Sequence, residues 1–289
     1  MTQFDESSVS DPNSSSAAIC LVIAYYEEGE NLQKTLASVY LDAEDSIVVV
    51  DDGSTELPAR GFCPDSANGT PIKLVELPHN MGVAEAARIG VLNAPREAEY
   101  IARLDCRDVN AADRFALQRD YLDKHPDCGI VGSSVSFHDP SGRLLYLHEQ
   151  PEDDADIRNL MRVNCAFTQP TVLFRRSAYD RTEGYSNNYP WAEDYALFRD
   201  LLTISKGHNF RQPLVSCSTM DGGISQKHRR RQLLSRAKII LKYWDWHPRS
   251  IYGLLRAVAQ LITTRNFTSR VKRSLAWVRE LPTRKSNKK

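Results

Sequence analysis

The sequence predicts an α/β protein built on a mostly parallel sheet flanked by helices, and three observations carry that expectation. Short apolar runs at 18–26 (AICLVIAYY), 46–50, 71–77 (PIKLVEL) and 99–104 (EYIARL) are too brief for helices and suit strands buried on both faces. Amphipathic stretches alternate with them in a βαβαβ order, which calls for parallel strands joined by right-handed crossovers. The second run, Ile47 to Val50, stops at Asp51 and Asp52 and the turn formers Gly53 and Ser54. Ligands of open α/β sheets bind beyond the carboxyl ends of the strands, so these acids stand where a ligand would meet them; a plain turn cap is the competing reading.

After the first strand, EEGENLQKTLASVYL places Leu32, Leu36, Val39 and Tyr40 on one helical face. An irregular connection over 56–70 leads to the third strand, and a second amphipathic helix over 81–94 is entered through His79 and Asn80. Past Asn110, AADRFALQRDYLDKH reads as a helix ending at Pro126. The runs 128–137 and 143–148 form a hairpin around HDPSG, followed by a helix over 153–163 and a short strand over 171–174. The helix 192–205 offers Tyr195, Leu197, Phe198, Leu201 and Leu202 for burial and carries Glu193 and Asp194 in its first turn. After a last strand at 210–217, three helices are expected at 228–243, 250–263 and 268–280.

The 289 residues suffice for one large domain with an appendage, and no internal repeat is visible. A net charge of zero conceals an asymmetry: residues 225–289 carry 18 Lys and Arg against Asp245 and Glu280, while the first 224 carry 19 basic and 35 acidic groups. The expected organisation is a polar, disordered segment at 1–17, a sheet domain at 18–224 and a basic helical extension at 225–289. Residues 1–17 have neither the basic start nor the apolar run of a secretory leader. The six cysteines form no CxxC pair, which favours reduced thiols and a cytoplasmic setting over a zinc site or a disulfide frame. No segment reaches the roughly 20 uninterrupted apolar residues of a membrane-spanning helix.

Two further acidic groups match the first. YIARLDCRD ends its strand on Asp105 and Asp108, and Glu193-Asp194 follows about ninety residues later. Carboxylates gathered at one sheet edge repel each other unless a cation or a hydrogen-bonding ligand sits among them. A metal-bridged diphosphate bearing a sugar meets both needs, with one carboxylate as general base toward an incoming hydroxyl. Solvated loop acids are the alternative.

Six ordered motifs, VIAYYEEGENLQKTLASV, VVVDDGST, HNMGVAEAARIG, YIARLDCRD with DRF, QPTVLFRRSAY and WAEDYALF, cover about 19–202. Together they resemble the family-2 glycosyltransferases of bacterial surface-polysaccharide type, whose sheet is the Rossmann-like GT-A fold. The resemblance implies that the Tyr26 ring packs on the nucleobase, that Ala24 lines that pocket and that Asp52 accepts hydrogen bonds from base or ribose. Arg88 would lie near the nucleotide, Asp105 would open the family's Asp-x-Asp motif near ribose and diphosphate, and Asp194, beside Glu193, would deprotonate the acceptor. A helix-start acid favoured by the helix dipole is the other reading of Asp194.

Three positions depart from the family pattern: Glu27, where asparagine is frequent, Gln169, where histidine commonly precedes Pro-Thr, and Arg107. The last stands where the family's aspartate ligates Mg²⁺ or Mn²⁺, and arginine cannot ligate a cation. Either Asp105 or Asp108 holds a metal with the diphosphate, or Arg107 itself neutralises the phosphates, or catalysis is impaired. The segment GGISQKHRRRQ resembles the loop that closes over the donor and offers Lys227, His228 and Arg231; a solvated basic face reads these residues equally well. Leaving-group charge would fall to a metal or to Arg107, Lys227 and Arg229 to Arg231.

The tail interleaves Tyr243, Trp244, Trp246, Tyr252, Phe267 and Trp277 with basic residues, which suits the surface of an anionic membrane or plain packing on the body. No nucleic-acid motif is present, and the body is acidic. The expected partners are a nucleoside-diphosphate sugar, UDP-linked by preference, and a glycan or polyprenyl-diphosphate-linked acceptor at the inner face of the cytoplasmic membrane. A non-catalytic nucleotide-sugar-binding protein is the alternative. A sugar-phosphate nucleotidyltransferase is disfavoured, because EEGENL is not the Gly-rich basic loop such an enzyme carries after its first strand.

Overall fold

The structure, a computed structural model, describes residues 18–218 and 228–262. Its strands are β1 (Ile19–Tyr25), β2 (Ser46–Asp51), β3 (Ser66–Ala67), β4 (Thr70–Glu76), β5 (Tyr100–Asp105), β6 (Val109–Asn110), β7 (Cys128–His138), β8 (Leu144–His148), β9 (Leu173–Arg175) and β10 (Lys206–Ser218). They join in one sheet in the order β3-β4-β2-β1-β5-β9-β7-β10-β6, with β8 paired to β7. The long strands β4, β2, β1, β5, β7 and β10 all point the same way; only the short β3, β6, β9 and the hairpin strand β8 run against them.

The unbroken apolar runs explain why the sheet is covered twice. Cys20 and Val22 of β1 pack into one layer with Ala86, Ala87 and Val91, from α2 (Val83–Leu92). The alternate residues Ile19, Leu21 and Ile23 face a second layer with Leu32 and Leu36 of α1 (Asn31–Ala37) and Leu122 of α3 (Arg114–Lys124). Remaining helices of the body are α4 (Asp154–Met161), α5 (Arg176–Tyr179) and α6 (Glu193–Ile204).

Most boundaries lie within a few residues of the sequence expectation, and the differences have local causes. Helix α1 ends at Ala37, so Tyr40 turns to solvent instead of the core. The last strand begins at Lys206 because that polar stretch pairs in parallel with β7, through register shifts near Phe210 and Pro213. The expected helix at 268–280 and the segment 1–17 lie outside the described residues.

The described part of the basic extension forms α7 (Arg229–Lys242) and α8 (Pro248–Ile262), both seated on the body. Ser235 donates to the Pro190 carbonyl at 2.9 Å, Lys242 and the Tyr243 hydroxyl bind Asp200, and Arg162 pairs with Asp245 at 2.7 Å. A Cβ on Gly253 would stand 2.5 Å from the Arg162 carbonyl oxygen, so α8 meets the body almost backbone to backbone.

Candidate active site

The parallel register brings three strand ends to one edge. Ala24 sits between Val50 of β2 and Asp105 of β5, on a rung about 10 Å wide. Asp52 lies two residues beyond Val50, and the Tyr26 ring, 48% exposed, stands just past the end of β1. Asp51 closes the turn by accepting from the Ser54 and Ala59 amides at 2.9 and 2.7 Å. Asp52 accepts from the Met81 and Gly82 amides at 2.7 and 2.9 Å, tying β2 to the start of α2. Burial raises the Asp52 carboxyl, and those two amides oppose the rise. Gly53 (φ +71°) is required here, because a Cβ would meet the His79 carbonyl carbon at 2.3 Å.

The neighbouring loop is fastened by a departure noted in the sequence. Glu27, at φ +53°, accepts from the Thr55, Glu56 and Leu57 amides at 2.6, 3.2 and 2.6 Å. Those amides hold its carboxyl below the ordinary range.

Asp105, Glu193 and Asp194 form one electrostatic cluster around Arg103. Arg103 is fully buried in β5; it donates to the Val22 carbonyl at 3.0 Å and lies 3.6 Å from Asp105, with its Nε and Nη2 making no hydrogen bond. The Tyr185 ring lies 5.7 Å from its guanidinium carbon. Burial among the surrounding atoms raises the Asp105 carboxyl and Arg103 counters, although 43% of the side chain still meets solvent. Burial, then the Asp194 charge, pushes the Glu193 carboxyl up. Burial raises Asp194 as well; the Tyr195 amide at 2.7 Å opposes this, the Asp105 charge adds to it, and Arg236 of α7 lowers it. Both acids open α6, where the helix dipole contributes about 0.3–1 kcal/mol to a carboxylate. A carboxylate with a raised pKa is a better proton acceptor for a hydroxyl than a solvated one.

Asp108 stands beside this cluster. Burial and the Asp105 charge push its carboxyl up to about 8, against a hydrogen bond from Cys217. Arg114, buried and lowered to about 9 by that burial, donates to the Arg103 carbonyl at 2.8 Å and to Asn110 at 2.6 Å. Arg107 adopts φ +80°; its amide donates to Thr35 Oγ1 at 2.9 Å and its guanidinium pairs with Glu28. No group of three His, Cys, Asp or Glu is placed to hold a metal among the described residues.

Arg88 is met locally, donating to Glu85 of its own helix at 2.9 and 2.5 Å. His228, just ahead of α7, stacks on Trp191 with ring centroids 4.1 Å apart, and Trp191 precedes Glu193 by two residues. Arg231 is exposed on the first turn of α7. Lys227 and the rest of 219–227 lie outside the described residues. A cavity of about 140 Å³ lined by Arg158, Arg162, Arg199 and Tyr243 includes none of these groups.

Two contributors escaped the sequence reading. Arg103 had a signal, a lone charge inside the apolar run YIARL, which must be paired if the strand is buried. Arg236 had none, since its approach to Asp194 depends on how α7 docks.

Comparison with known proteins sets this geometry in context. The family model "Glycosyl transferase family 2" matches residues 20–182, more than half the chain, and ends before Glu193. The amylovoran biosynthesis glycosyltransferase AmsE of Erwinia amylovora is 26% identical over 82% of this chain and 90% of its own. The UDP-Gal:alpha-D-GlcNAc-diphosphoundecaprenol beta-1,3-galactosyltransferase of Escherichia coli is 28% identical over 64% of this chain and 67% of its own. Among solved structures, S. aureus TarS 1-349 in complex with UDP-GlcNAc superposes with a TM-score of 0.63 at 14% identity, over 83% of this chain and 71% of that one. This chain spans 42% of the longer TarS structure. Mannosyltransferase PcManGT from Pyrobaculum calidifontis, in complex with GDP-Man and Mn2+, gives a TM-score of 0.57 at 18% identity, over 92% of this chain and 76% of its own. At these identities the solved structures establish a shared GT-A fold.

Proposed function

Because the chain belongs to glycosyl transferase family 2, we propose that it is an inverting transferase of polysaccharide biosynthesis. It moves a sugar from a nucleoside-diphosphate sugar, by preference a UDP-sugar, to a hydroxyl of a glycan or of a polyprenyl-diphosphate-linked acceptor. The work is done at the inner face of the cytoplasmic membrane, with the basic tail toward an anionic lipid surface. The names of the relatives favour this, since one acts in amylovoran biosynthesis and another carries a UDP-sugar and a diphosphoundecaprenol acceptor in its name.

The observation that carries the reading is the cluster of Asp105, Glu193 and Asp194 around Arg103, whose acids lie far apart in the sequence. In the proposed reaction Tyr26 stacks on the base, Ala24 lines its pocket, and Asp52, Arg88 and Asp105 line the nucleotide. Asp194 takes the acceptor proton while the acceptor oxygen bonds to the anomeric carbon. The bond from that carbon to the diphosphate breaks on the opposite face, and its electron pair leaves with the nucleoside diphosphate. The Asp105 charge helps keep Asp194 basic, and Glu193 stands beside it with its own carboxyl raised by burial and by the Asp194 charge. His228 and Arg231 border the donor from the start of α7.

The residues present do not fit a cation held by the protein. Arg107 occupies the usual ligand position and pairs with Glu28, Asp105 faces Arg103, and Asp108 is buried beside Cys217. No step is routed through a metal; the charge of the leaving diphosphate is assigned to Arg107, helped by Arg229 to Arg231. Turnover in EDTA should stay within about twofold of turnover in Mn²⁺, because a single well-placed cation is worth far more than that; a collapse in EDTA would return the role to a metal.

Asp194→Asn tests the whole reading. Turnover should fall by about a hundredfold or more, the scale of general-base catalysis, while UDP-sugar still raises Tm as in the parent. Undiminished turnover, or no nucleotide-sugar binding by either protein, would overturn it.

A further inference from the structure

Helix α8 is amphipathic in the inverse sense for a surface helix. Its small residues Ser250, Gly253 and Ala257 are the buried ones and let it lie close on the body. Its large apolar residues face outward: Ile251, Leu255, Val258 and Ile262 recur at helical spacing, with Leu255 64% and Ile262 80% exposed. Trp246, 79% exposed, stands just ahead of the helix. Water-facing helices put their polar side outward, so a contiguous apolar row of this kind marks an interaction surface.

The charge around the row selects the partner. Residues 228–262 carry eight Lys and Arg against Asp245 alone; Arg249 is exposed on α8, whereas Arg256 lies beside Arg236 and Lys242 is paired with Asp200. A protein partner would accept the apolar row without the surrounding charge; an anionic bilayer uses both, taking the row among its acyl chains and the cations among its phosphates. Tryptophan at the edge of such a row favours the headgroup level. Among the described residues no helix is long and apolar enough to cross a membrane, so the contact would be one of lying in the surface.

We propose that α8 is an interfacial anchor that lays Ile251, Leu255, Val258 and Ile262 into the leaflet of an anionic membrane, with Trp246 and Arg249 at the headgroups. It rests on the membrane-facing acceptor proposed above for its biological sense, and it assigns the contact to one helix face. Rigid seating of α8 through Gly253 then fixes how the body is held against the surface.

Flotation of the full chain with vesicles of phosphatidylglycerol and phosphatidylethanolamine tests this, with phosphatidylcholine vesicles as the neutral reference. The parent should float with the anionic vesicles and much less with the neutral ones. Leu255→Glu/Ile262→Glu should cut the partition coefficient at least tenfold while leaving Tm and donor-induced stabilisation unchanged. Arg249→Gln should weaken anionic binding and its salt dependence together. Failure of the parent to float, or equal flotation of the Leu255→Glu/Ile262→Glu variant, overturns the proposal. So does loss of a dimer in that variant, by sedimentation velocity, without loss of flotation, which would assign the face to a second copy. Flotation does not depend on sugar transfer, so a lost anchor and a lost transferase activity are told apart.

Discussion

Arg103 reaches Asp105 at 3.6 Å from a fully buried position, and two of its nitrogens make no hydrogen bond. A cation so placed holds down Asp105 and Glu193, the carboxyls that neighbour Asp194. Arg103→Met should therefore move the acid limb of the kcat/KM profile to higher pH, by about one pH unit if a single close charge is lost; an unmoved limb would separate Arg103 from the base. Asp108 gives a second test, on stability. Unfolded, it loses its proton near pH 4; folded, it keeps it up to about pH 8, so between these values the native state binds more protons and stability falls as pH rises. Asp108→Asn should melt above the parent at pH 9 and alongside it at pH 4, with about 2–4 °C for each kcal/mol recovered. Equal melting at both pH values would contradict the assignment. Asp105 and Asp194 were legible as strand-end and helix-start acids, but their mutual field was not, because no spacing rule reports distance across ninety residues.

At the scale of elements, β1, β2 and β5 were readable because fully buried strands leave unbroken apolar runs. The two-residue β3 and β6 carry no such pattern and exist because a neighbouring backbone needs a partner, whereas the three-residue β9 falls on the short strand expected at 171–174. The loops at the strand ends depend on single residues. Gly53→Ala would drive a Cβ into the His79 backbone, and a loss of about 2–4 kcal/mol is expected, read by denaturant unfolding. Glu27→Ala releases three amides of the loop that follows β2. Its KM for the donor should rise about tenfold with a smaller change in kcat, since the loop borders the nucleotide edge while the proposed base lies on α6. The reverse split would place Glu27 in the chemistry.

At the scale of the molecule, the sheet explains why one edge collects the acids. Its long strands share a direction, so β1, β2 and β5 end together, and α6 enters with Glu193 and Asp194 on the same cluster. The charge asymmetry between body and tail was legible from composition, whereas the outward apolar face of α8 emerged only once its small residues were seen to be the buried ones. The claim on which the chemistry rests is that Asp105 and Asp194 share one site. Carbonyl-selective ¹³C labelling of aspartate, with Asp194 assigned through Asp194→Asn, reads the titration of Asp194 directly. Its midpoint should lie above the usual aspartate range and fall by about half a pH unit or more in Asp105→Asn, as the removal of a nearby like charge requires. A midpoint that stays where it was in Asp105→Asn would mean that the two carboxylates do not share a site.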